Sequence, residues 1–274
     1  MRFSAAIDDK KSFEALIQAA TCASAFLEDE ELTLKILPDG VAFVCATGFN
    51  TGYYMEIKLF EQEIFSAFRM EGISDEKNVI IMQLKRAHFM QILKAEDEEV
   101  RIKLVKRDNL PKLTAEFKGS GFLKTIPVKM VKNLLLADYM TPSINEPIVG
   151  LIIKPMYSFE KLFKTFLALE VEATQLRLVG DGNLFVKCRN LEGIEFTAIA
   201  ADLESVEDVE HHGDTDYFRV RVEVMNKYFN CMPAEANHCE IRVTDLNQIV
   251  VTVKHYDADY NLYMSALRDE AFED

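Results

Sequence analysis

The spacing of apolar residues predicts one amphipathic helix near the start of each half of the chain. Apolar side chains recur three and four positions apart, which places them on a single face of an α-helix. In the second half these positions are Phe159, Leu162, Phe163, Phe166 and Leu167. In the first half they are Phe13, Leu16, Ile17 and Ala20. Two shorter helices are predicted at about residues 85–95 and 225–232.

Runs of β-branched and apolar residues predict strands around these helices. A strand precedes each long helix, at residues 2–7 and 148–153, and a hairpin turned at a glycine follows it, at Gly40 or Gly182. The other predicted strands are Tyr53–Leu59, Val79–Leu84, Val100–Val105, Leu113–Phe117, Phe122–Ile126, Glu195–Ala200, Tyr217–Val224, Glu240–Thr244, Ile249–Lys254 and Asn261–Ala266. Few helices among many antiparallel strands indicate the α+β class.

The chain repeats itself at a separation of 140–146 residues. LKILPDGVAFV at residues 34–44 and LRLVGDGNLFV at residues 176–186 share five of eleven positions, and a Phe-Glu pair before each and an aromatic residue-Phe pair after each recur in the same order. Residues 140–147 contain two prolines and no strand alternation, as expected of a linker. The sequence therefore predicts two similar domains, at residues 1–127 and 148–274, joined by a linker at residues 128–147.

Composition narrows the class of protein. Among 274 residues, 49% are hydrophobic, so the chain can bury a sizeable core. Five cysteines without a Cys-x-x-Cys pair predict reduced thiols. No secretory signal and no apolar run of 18 residues are visible, so we expect a soluble intracellular protein. The net charge of −14 excludes a protein that grips nucleic acid through bulk positive charge.

Positive charge nevertheless concentrates on the predicted helices. Residues 8–27, 85–95, 154–168 and 225–233 together carry +5, which leaves −19 on the remainder of the chain. Lys161 and Lys164 are three positions apart, so they project from one helix face opposite the apolar stripe. Two ordinary surface lysines without a binding role would show the same spacing in the sequence. Taken over all four helices, the bias predicts a shared basic surface that faces phosphates, with negative charge on the outer faces.

Several motifs resemble one branch of the sliding DNA clamps. The start Met1-Arg2-Phe3-Ser4-Ala5-Ala6-Ile7 and the segment Phe68-Arg69-Met70-Glu71-Gly72-Ile73-Ser74 are similar to those of the Hus-type subunit of the checkpoint clamp, the nine-one-one complex. Residues 102–104, 111–114 and 126–129 continue the similarity. The duplicated domain, with two helices packed on antiparallel sheets, is shared by all clamps of the PCNA type.

The resemblance implies a non-catalytic subunit, without cofactor or metal, of a heterotrimeric ring that encircles double-stranded DNA without sequence specificity. The implied partners are two paralogous clamp subunits, a loader related to replication factor C, and client checkpoint and repair proteins. The implied location is the nucleus, and also the cytoplasm. Helices would line the hole and sheets would lie outside. Carried over by position, the DNA-facing residues are Lys10, Lys11, Lys85, Arg86, Lys94, Lys161, Lys164 and Lys227.

The resemblance also implies a surface for subunit contacts, and apolar residues in the linker predict a second interaction surface. Subunits would join through strand edges, because an unpaired edge exposes backbone donors and acceptors. The residues expected there are Leu113, Ala115, Phe117, Ile194, Phe196 and Ala198. Apolar residues in the linker would dock client proteins, namely Leu134, Leu135, Leu136 and Tyr139. The alternative for this second group is that it pins the linker to the neighbouring sheet.

Other functions were weighed against the clamp. His211, His212, Cys231 and His238 invite a metal site, but their spacing does not match a known ligand set. Asp181 resembles the start of a calcium loop without the glutamate that closes one. Motifs of hydrolases, nucleotide-binding loops and zinc proteases are missing from the sequence. A homotrimeric replication clamp and a purely structural interaction protein remain open as alternatives.

Overall fold

The structure is a computed structural model that describes residues 1–27, 30–45, 52–74, 78–94, 99–209 and 213–267. The chain forms two compact units. The first unit takes residues 1–47, 55–141 and 255–260, and the second takes residues 48–54, 142–254 and 261–274. Within the described ranges, every helix is too short or too polar to cross a membrane.

The described residues of the first half form ten strands and three α-helices. They are β1 (Arg2–Ile7), α1 (Lys10–Phe26), β2 (Glu31–Leu37), β3 (Gly40–Val44), β4 (Tyr53–Phe60), α2 (Glu61–Ile64), β5 (Ala67–Glu71), β6 (Ile80–Lys85), α3 (Arg86–Leu93), β7 (Val100–Arg107), β8 (Leu110–Phe117), β9 (Leu123–Pro127) and β10 (Lys129–Met130). One antiparallel sheet has the order β5-β1-β7-β8-β9, and other strands pair in the order β10-β6-β2-β3-β4. A 3₁₀ helix follows at Asn133–Tyr139.

The described residues of the second half form a similar set of nine strands and two α-helices. They are β11 (Pro147–Ile153), α4 (Tyr157–Ala168), β12 (Ala173–Val179), β13 (Asn183–Arg189), β14 (Glu195–Ala200), β15 (Glu204–Ser205), β16 (Phe218–Arg221), α5 (Val222–Cys231), β17 (Cys239–Thr244), β18 (Gln248–His255) and β19 (Ala258–Ser265). A four-stranded sheet has the order β14-β13-β12-β16, and the other strands pair in the order β19-β18-β17-β11-β15. The mixture of few helices with antiparallel sheets confirms the predicted α+β class.

Three of the five apolar positions predicted for α4 pack in the interior, whereas Leu162 is half-buried and Leu167 is 43% exposed. Phe159, Phe163 and Phe166 are buried. The ring of Phe163 stacks on that of Phe229 in α5, with centroids 5.8 Å apart and an interplanar angle of 25°. Burial of one such side chain stabilises the fold by about 1.5–3 kcal/mol. Because this stripe faces the protein interior, the remaining face of α4 is left to solvent.

The fourth helix begins earlier than the sequence predicts. Tyr217–Val224 was expected as a strand, but β16 ends at Arg221 and α5 starts at Val222. Val222, Met225 and Phe229 are all buried, at spacings of three and four residues. The β-branched residues in this segment favour a strand by their intrinsic propensity. A helix forms instead, because it buries the apolar residues on one face. The short helix α2 was not predicted.

The prediction that residues 113–117 form an edge strand in the first half is wrong. Leu113, Ala115 and Phe117 lie in β8, which pairs with β7 on one side and β9 on the other. All three side chains are buried in the first unit. The hairpin from β8 into β9 adds one more strand, so β9 becomes the edge. Among the described strands, β9 pairs with β8 alone.

Candidate nucleic-acid interface

The solvent face of α4 carries the strongest candidates for phosphate contact. Lys161 and Lys164 are exposed, on the side of the helix away from the buried phenylalanines. The Nζ atom of Lys161 lies 4.8 Å from the centroid of the Tyr157 ring, which holds the ammonium close to the helix start. Among the described residues, no carboxylate forms an ion pair with either lysine. Both charges are therefore available to a ligand.

The two lysines that open α1 are exposed but have acidic neighbours. Lys10 Nζ lies 3.9 Å from Glu14 Oε1, and Lys11 Nζ lies 3.3 Å from Asp257 Oδ2. Asp9 begins this helix, because its Oδ1 accepts a hydrogen bond from the Ser12 backbone at 2.9 Å. Exposed ion pairs are weak, so phosphate can compete for both lysines. Their positive field is nevertheless partly neutralised.

Around α3, the predicted basic residues divide into two groups. Lys85 and Lys94 are exposed and flank the helix at its two ends. Arg86 has a structural role that corrects its assignment to DNA. Its Nη1 atom donates to the backbone oxygens of Ser24 at 2.9 Å and Leu27 at 3.3 Å. These carbonyls end α1, so Arg86 satisfies acceptors that the helix itself leaves unpaired.

A cavity of about 600 Å³ lies between α3 and the edge strand β9. Its lining includes His88, Gln91 and Lys94 from the helix side and Lys124 from β9. Lys124 Nζ donates to the backbone oxygens of Gln91, Ile92 and Lys94 at 3.1–3.2 Å. It thereby complements the negative end of the α3 dipole. Sequence reasoning missed the role of Lys124, because its acceptors lie 30 or more positions away along the chain.

The fourth helix contributes less positive charge than the sequence predicts. Because α5 starts at Val222, it includes Glu223, whose Oε1 lies 3.0 Å from Lys227 Nζ. Within its observed bounds α5 carries no net charge, and α1, α3 and α4 carry +1 each. Lys85, Lys94 and Lys154 flank the helices rather than lying inside them. The basic surface is therefore concentrated on α4 and beside α3.

A buried ion pair ties the end of the first unit to its sheet. Lys35 on β2 is fully buried, and its Nζ lies 2.5 Å from Glu56 Oε2 on β4. Thr141 Oγ1 donates to Glu56 at 3.0 Å and accepts from Lys35 Nζ at 3.0 Å. Burial lowers the pKa of Lys35, and the Glu56 carboxylate opposes that effect. Sequence reasoning missed this network, because a lysine in a strand is normally expected on the solvent face.

The apolar linker residues separate into an exposed pair and a buried pair. Leu134 is 94% exposed and Leu135 is 49% exposed, whereas Leu136 and Tyr139 are 8% and 9% exposed. The Tyr139 hydroxyl also accepts a hydrogen bond from Gln83 Nε2 at 3.2 Å. Leu136 and Tyr139 thus pin the 3₁₀ helix to the first unit, which corrects their assignment to client binding. Leu134 and Leu135 remain available to a partner.

Exposed apolar residues accompany the edge strands of both units. Phe122 directly precedes β9 and Leu123 is its first residue, with 66% and 53% exposure. Among the strands that the structure describes, β14 pairs with β13 alone. Ile194 and Ile199 are exposed on or beside β14, while Phe196 and Ala198 are half-buried. Both edges therefore offer backbone hydrogen-bonding groups next to apolar surface.

The residues considered for a metal site do not come together in the described part of the chain. His211 and His212 lie outside the described residues. Within the described ranges, no group of three or more His, Cys, Asp or Glu side chains could hold a metal ion. Asp181 Oδ1 accepts hydrogen bonds from the backbone and side chain of Asn183, at 3.2 and 2.7 Å. Asp181 thus serves the β12–β13 turn.

Comparison with known proteins identifies the fold and the family. The proliferating cell nuclear antigen of Entamoeba histolytica has a TM-score of 0.69 at 12% identity, covering 97% of this chain and 99% of that one. A structure of the C-terminal region of FEN-1 bound to A. fulgidus PCNA gives 0.67 at 11% identity, with 98% and 99% coverage. Both confirm the predicted clamp fold.

Sequence comparison is more specific. Human checkpoint protein HUS1 is 30% identical over an alignment of 169 positions that covers 57% of this chain. The chain spans 59% of the length of that relative. The family described as Hus1-like protein matches residues 1–181, well over half of the sequence. The chain therefore belongs to the Hus1-like family.

Proposed function

We propose that this chain is a non-catalytic subunit of a heterotrimeric, ring-shaped sliding clamp that encircles DNA in the DNA damage checkpoint and in repair. Membership of the Hus1-like family and the clamp fold support this proposal. In the proposed ring, two paralogous clamp subunits complete the circle. A loader related to replication factor C opens and closes it on DNA in the nucleus.

The observation that carries the proposal is the pair of edge strands, β9 in the first half of the chain and β14 in the second. A ring of several subunits needs two different edges on each subunit, because head-to-tail contacts close a circle. Both edges expose apolar side chains, Leu123 on β9 and Ile199 on β14. Pairing of β9 with the β14-like edge of a paralogue would continue the sheet and bury these side chains. This replaces Leu113, Ala115 and Phe117 as interface residues.

The charge distribution suits a clamp that slides. Sequence-independent binders with basic surfaces reach a Kd of about 10⁻⁴–10⁻⁶ M at physiological salt, and an acidic protein should bind more weakly. A closed ring does not need tight binding, because its topology retains the DNA. Lys161 and Lys164 on α4, with Lys85 and Lys94 beside α3, would supply weak phosphate contacts that break and re-form during sliding.

Client proteins would dock on the exposed part of the 3₁₀ helix. Leu134 and Leu135 present apolar surface to solvent, while the buried Leu136 and Tyr139 hold the helix against the first unit. Fixing the helix lowers the entropy lost when a client binds. In this role the chain recruits checkpoint and repair factors and performs no chemistry itself, so it needs no cofactor.

Ring formation tests the proposal directly. The chain is co-expressed with the two clamp paralogues of its own organism, and the mass of the purified complex is measured by light scattering. We expect one copy of each subunit in the complex. Leu123→Asp or Ile199→Asp should break the ring, since each places a charge in a newly buried interface. Leu246→Asp is the matched control, because Leu246 is exposed in the turn between β17 and β18 and belongs to neither edge strand.

Two results would contradict the proposal. A chain that forms a homotrimer alone would favour the replication clamp weighed against it above. A ring that survives both edge substitutions would show that the subunits join elsewhere.

A further inference from the structure

One face of the four-stranded sheet in the second unit is basic, contrary to the expectation of negative outer faces. The opposite face lies in the core, with Leu176, Leu178, Leu184, Val186 and Val220 buried. Strand residues alternate between faces, so the solvent face is fixed by the same register. Its charged residues are five cations and one carboxylate: Arg177, Lys187, Arg189, Arg219, Arg221 and Glu195.

Four of these cations form two rows on either side of β12. Gln175 lies opposite Lys187 of β13 and opposite Arg219 of β16. Ala173 lies opposite Arg221, and Arg189 follows Lys187 by two positions on β13. With strands about 4.8 Å apart, the rows are about 10 Å apart, and cations within a row are about 7 Å apart. We call this surface the basic trough; it comprises Ala173, Gln175, Lys187, Arg189, Arg219 and Arg221.

Among the residues that the structure describes, the trough has few acidic neighbours, and one of them, Asp214, is engaged elsewhere. Asp214 Oδ2 accepts from Arg177 Nη2 at 2.8 Å, outside the two rows. Lys187 Nζ lies 4.6 Å from the centroid of the Tyr217 ring, an attraction that leaves its charge intact. Among the described carboxylates, none forms an ion pair with the four cations of the trough. Glu195 lies across from Arg189 as the nearest opposing charge in the register.

We propose that the basic trough binds an extended acidic peptide segment of another protein. In an extended chain, side chains alternate to the two sides, and those on one side are about 7 Å apart. Acidic side chains on one side would meet Lys187 and Arg189, and those on the other would meet Arg219 and Arg221. A single nucleic-acid strand presents one line of phosphates and would engage one row only. The uncharged floor of Ala173 and Gln175 lets the peptide backbone approach the sheet.

Fluorescence anisotropy with the full-length chain alone tests this site, independently of whether a ring forms. The probe is a fluorescein-labelled octapeptide of alternating Asp and Glu with blocked ends, in 50 mM salt; an Asn/Gln octapeptide is the uncharged control. Lys187→Gln/Arg189→Gln and Arg219→Gln/Arg221→Gln each remove one row. We expect each to weaken binding about tenfold, since each exposed ion pair is worth up to a factor of about five. Lys106→Gln/Arg107→Gln, which changes two exposed cations of β7, should bind like the unaltered chain.

Several outcomes would overturn the proposal. Affinity within twofold of the unaltered chain in either row variant, or an equal loss in the β7 control, would show that the trough is not the site. Tighter binding of an octathymidine strand or a short duplex would assign the face to nucleic acid. Binding of the peptide only after Asp269, Glu270, Glu273 and Asp274 are replaced by their amides would show that the chain's own acidic residues occupy the trough.

Discussion

Lys35 shows how one buried residue can fix the position of a distant segment. Its ammonium and the Glu56 carboxylate are both inside the first unit, and Thr141 bonds to both. Glu56→Gln leaves an unpaired buried charge, so we expect it to lower the free energy of unfolding by about 3–5 kcal/mol. Thr141→Val should cost about 1–2 kcal/mol, because it removes hydrogen bonds but no charge. Urea unfolding measures both.

The control for this prediction is the double variant Lys35→Met/Glu56→Leu, which removes both charges and keeps the volume filled. It should be more stable than Glu56→Gln, because no isolated charge remains. Equal stability of the two variants would mean that the carboxylate does not compensate the buried lysine.

Asp9 gives the first helix a stability that depends on pH. Hydrogen bonds from Ser12 to the side chain lower the pKa of Asp9 below its usual value of 3.8. Because this pKa is lower in the folded state, ionised Asp9 adds to the free energy of unfolding. That stabilisation is complete above the unfolded-state pKa and is lost as pH falls through the folded-state pKa. At pH 7, Asp9→Ala should cost about 1 kcal/mol, while Asp9→Asn should retain most of the cap.

The measurement for Asp9 is the difference in unfolding free energy between the unaltered chain and Asp9→Ala, at pH 7 and at pH 3. Taking the difference cancels the titration of other carboxylates. We expect the gap to narrow at the lower pH, where the protonated carboxyl accepts hydrogen bonds less well. A gap of the same size at both values would show that the charge of Asp9 does not matter.

At the scale of elements, the interior position of β8 changes what a proline there should do. Ala115 is buried between β7 and β9, so Ala115→Pro removes a backbone donor from a strand paired on both sides. We expect a loss of about 3 kcal/mol or more in the isolated chain, before any partner is added. Thermal unfolding measures it, and Ala115→Gly is the milder control. Had β8 been an edge, the isolated chain would tolerate the proline.

The 3₁₀ helix should separate stability from client binding. Leu134→Ser/Leu135→Ser changes exposed side chains, so the melting temperature should stay nearly constant while affinity for a client falls. Leu136→Ser removes a buried leucine and should lower stability by about 2–5 kcal/mol. The probe is a client protein that co-purifies with the assembled ring of the unaltered chain, and its affinity for each variant ring is measured by calorimetry. Unchanged affinity in the double variant would place the docking site elsewhere.

Helices and hairpins were predictable from the sequence where a local residue pattern determines them. Features that depend on contacts between residues far apart in the sequence were less predictable. The phenylalanines of α4 and the hairpins at Gly40 and Gly182 follow from spacing and turn chemistry alone. Their repetition indicated a duplicated domain, and the motifs that resemble those of sliding clamps suggested the fold. The order of strands did not follow, because a hairpin such as β8–β9 does not reveal which strand is last. The role of Arg86 also depends on distant contacts. Its acceptors at Ser24 and Leu27 are about 60 residues away in the sequence, so the residue was predicted to contact DNA.

For the whole molecule, a net charge of −14 means that any contact with DNA must come from local clusters. The structure reduces the predicted clusters to α4 and the ends of α3, since α5 is neutral and the lysines of α1 have acidic neighbours. Lys94 also lines the cavity beside β9, which is a proposed subunit edge. Lys161 and Lys164 are therefore the better pair for a test, because a change there leaves that edge intact.

Lys161→Glu/Lys164→Glu should spare both folding and ring assembly, since surface changes of this kind usually shift stability by no more than about 0.5 kcal/mol. Binding of the assembled ring to linear duplex, onto which it can thread without a loader, is measured across a salt series. We expect weaker binding at low salt, where phosphate contacts are least screened. The slope of log K against log salt should become shallower by about two, because each lost phosphate contact removes about one unit. The charge-matched control Lys106→Glu/Arg107→Glu should keep the original slope. If both variants gave the same slope as the unaltered ring, α4 would not face the DNA, and the clamp would have to hold its duplex through other residues.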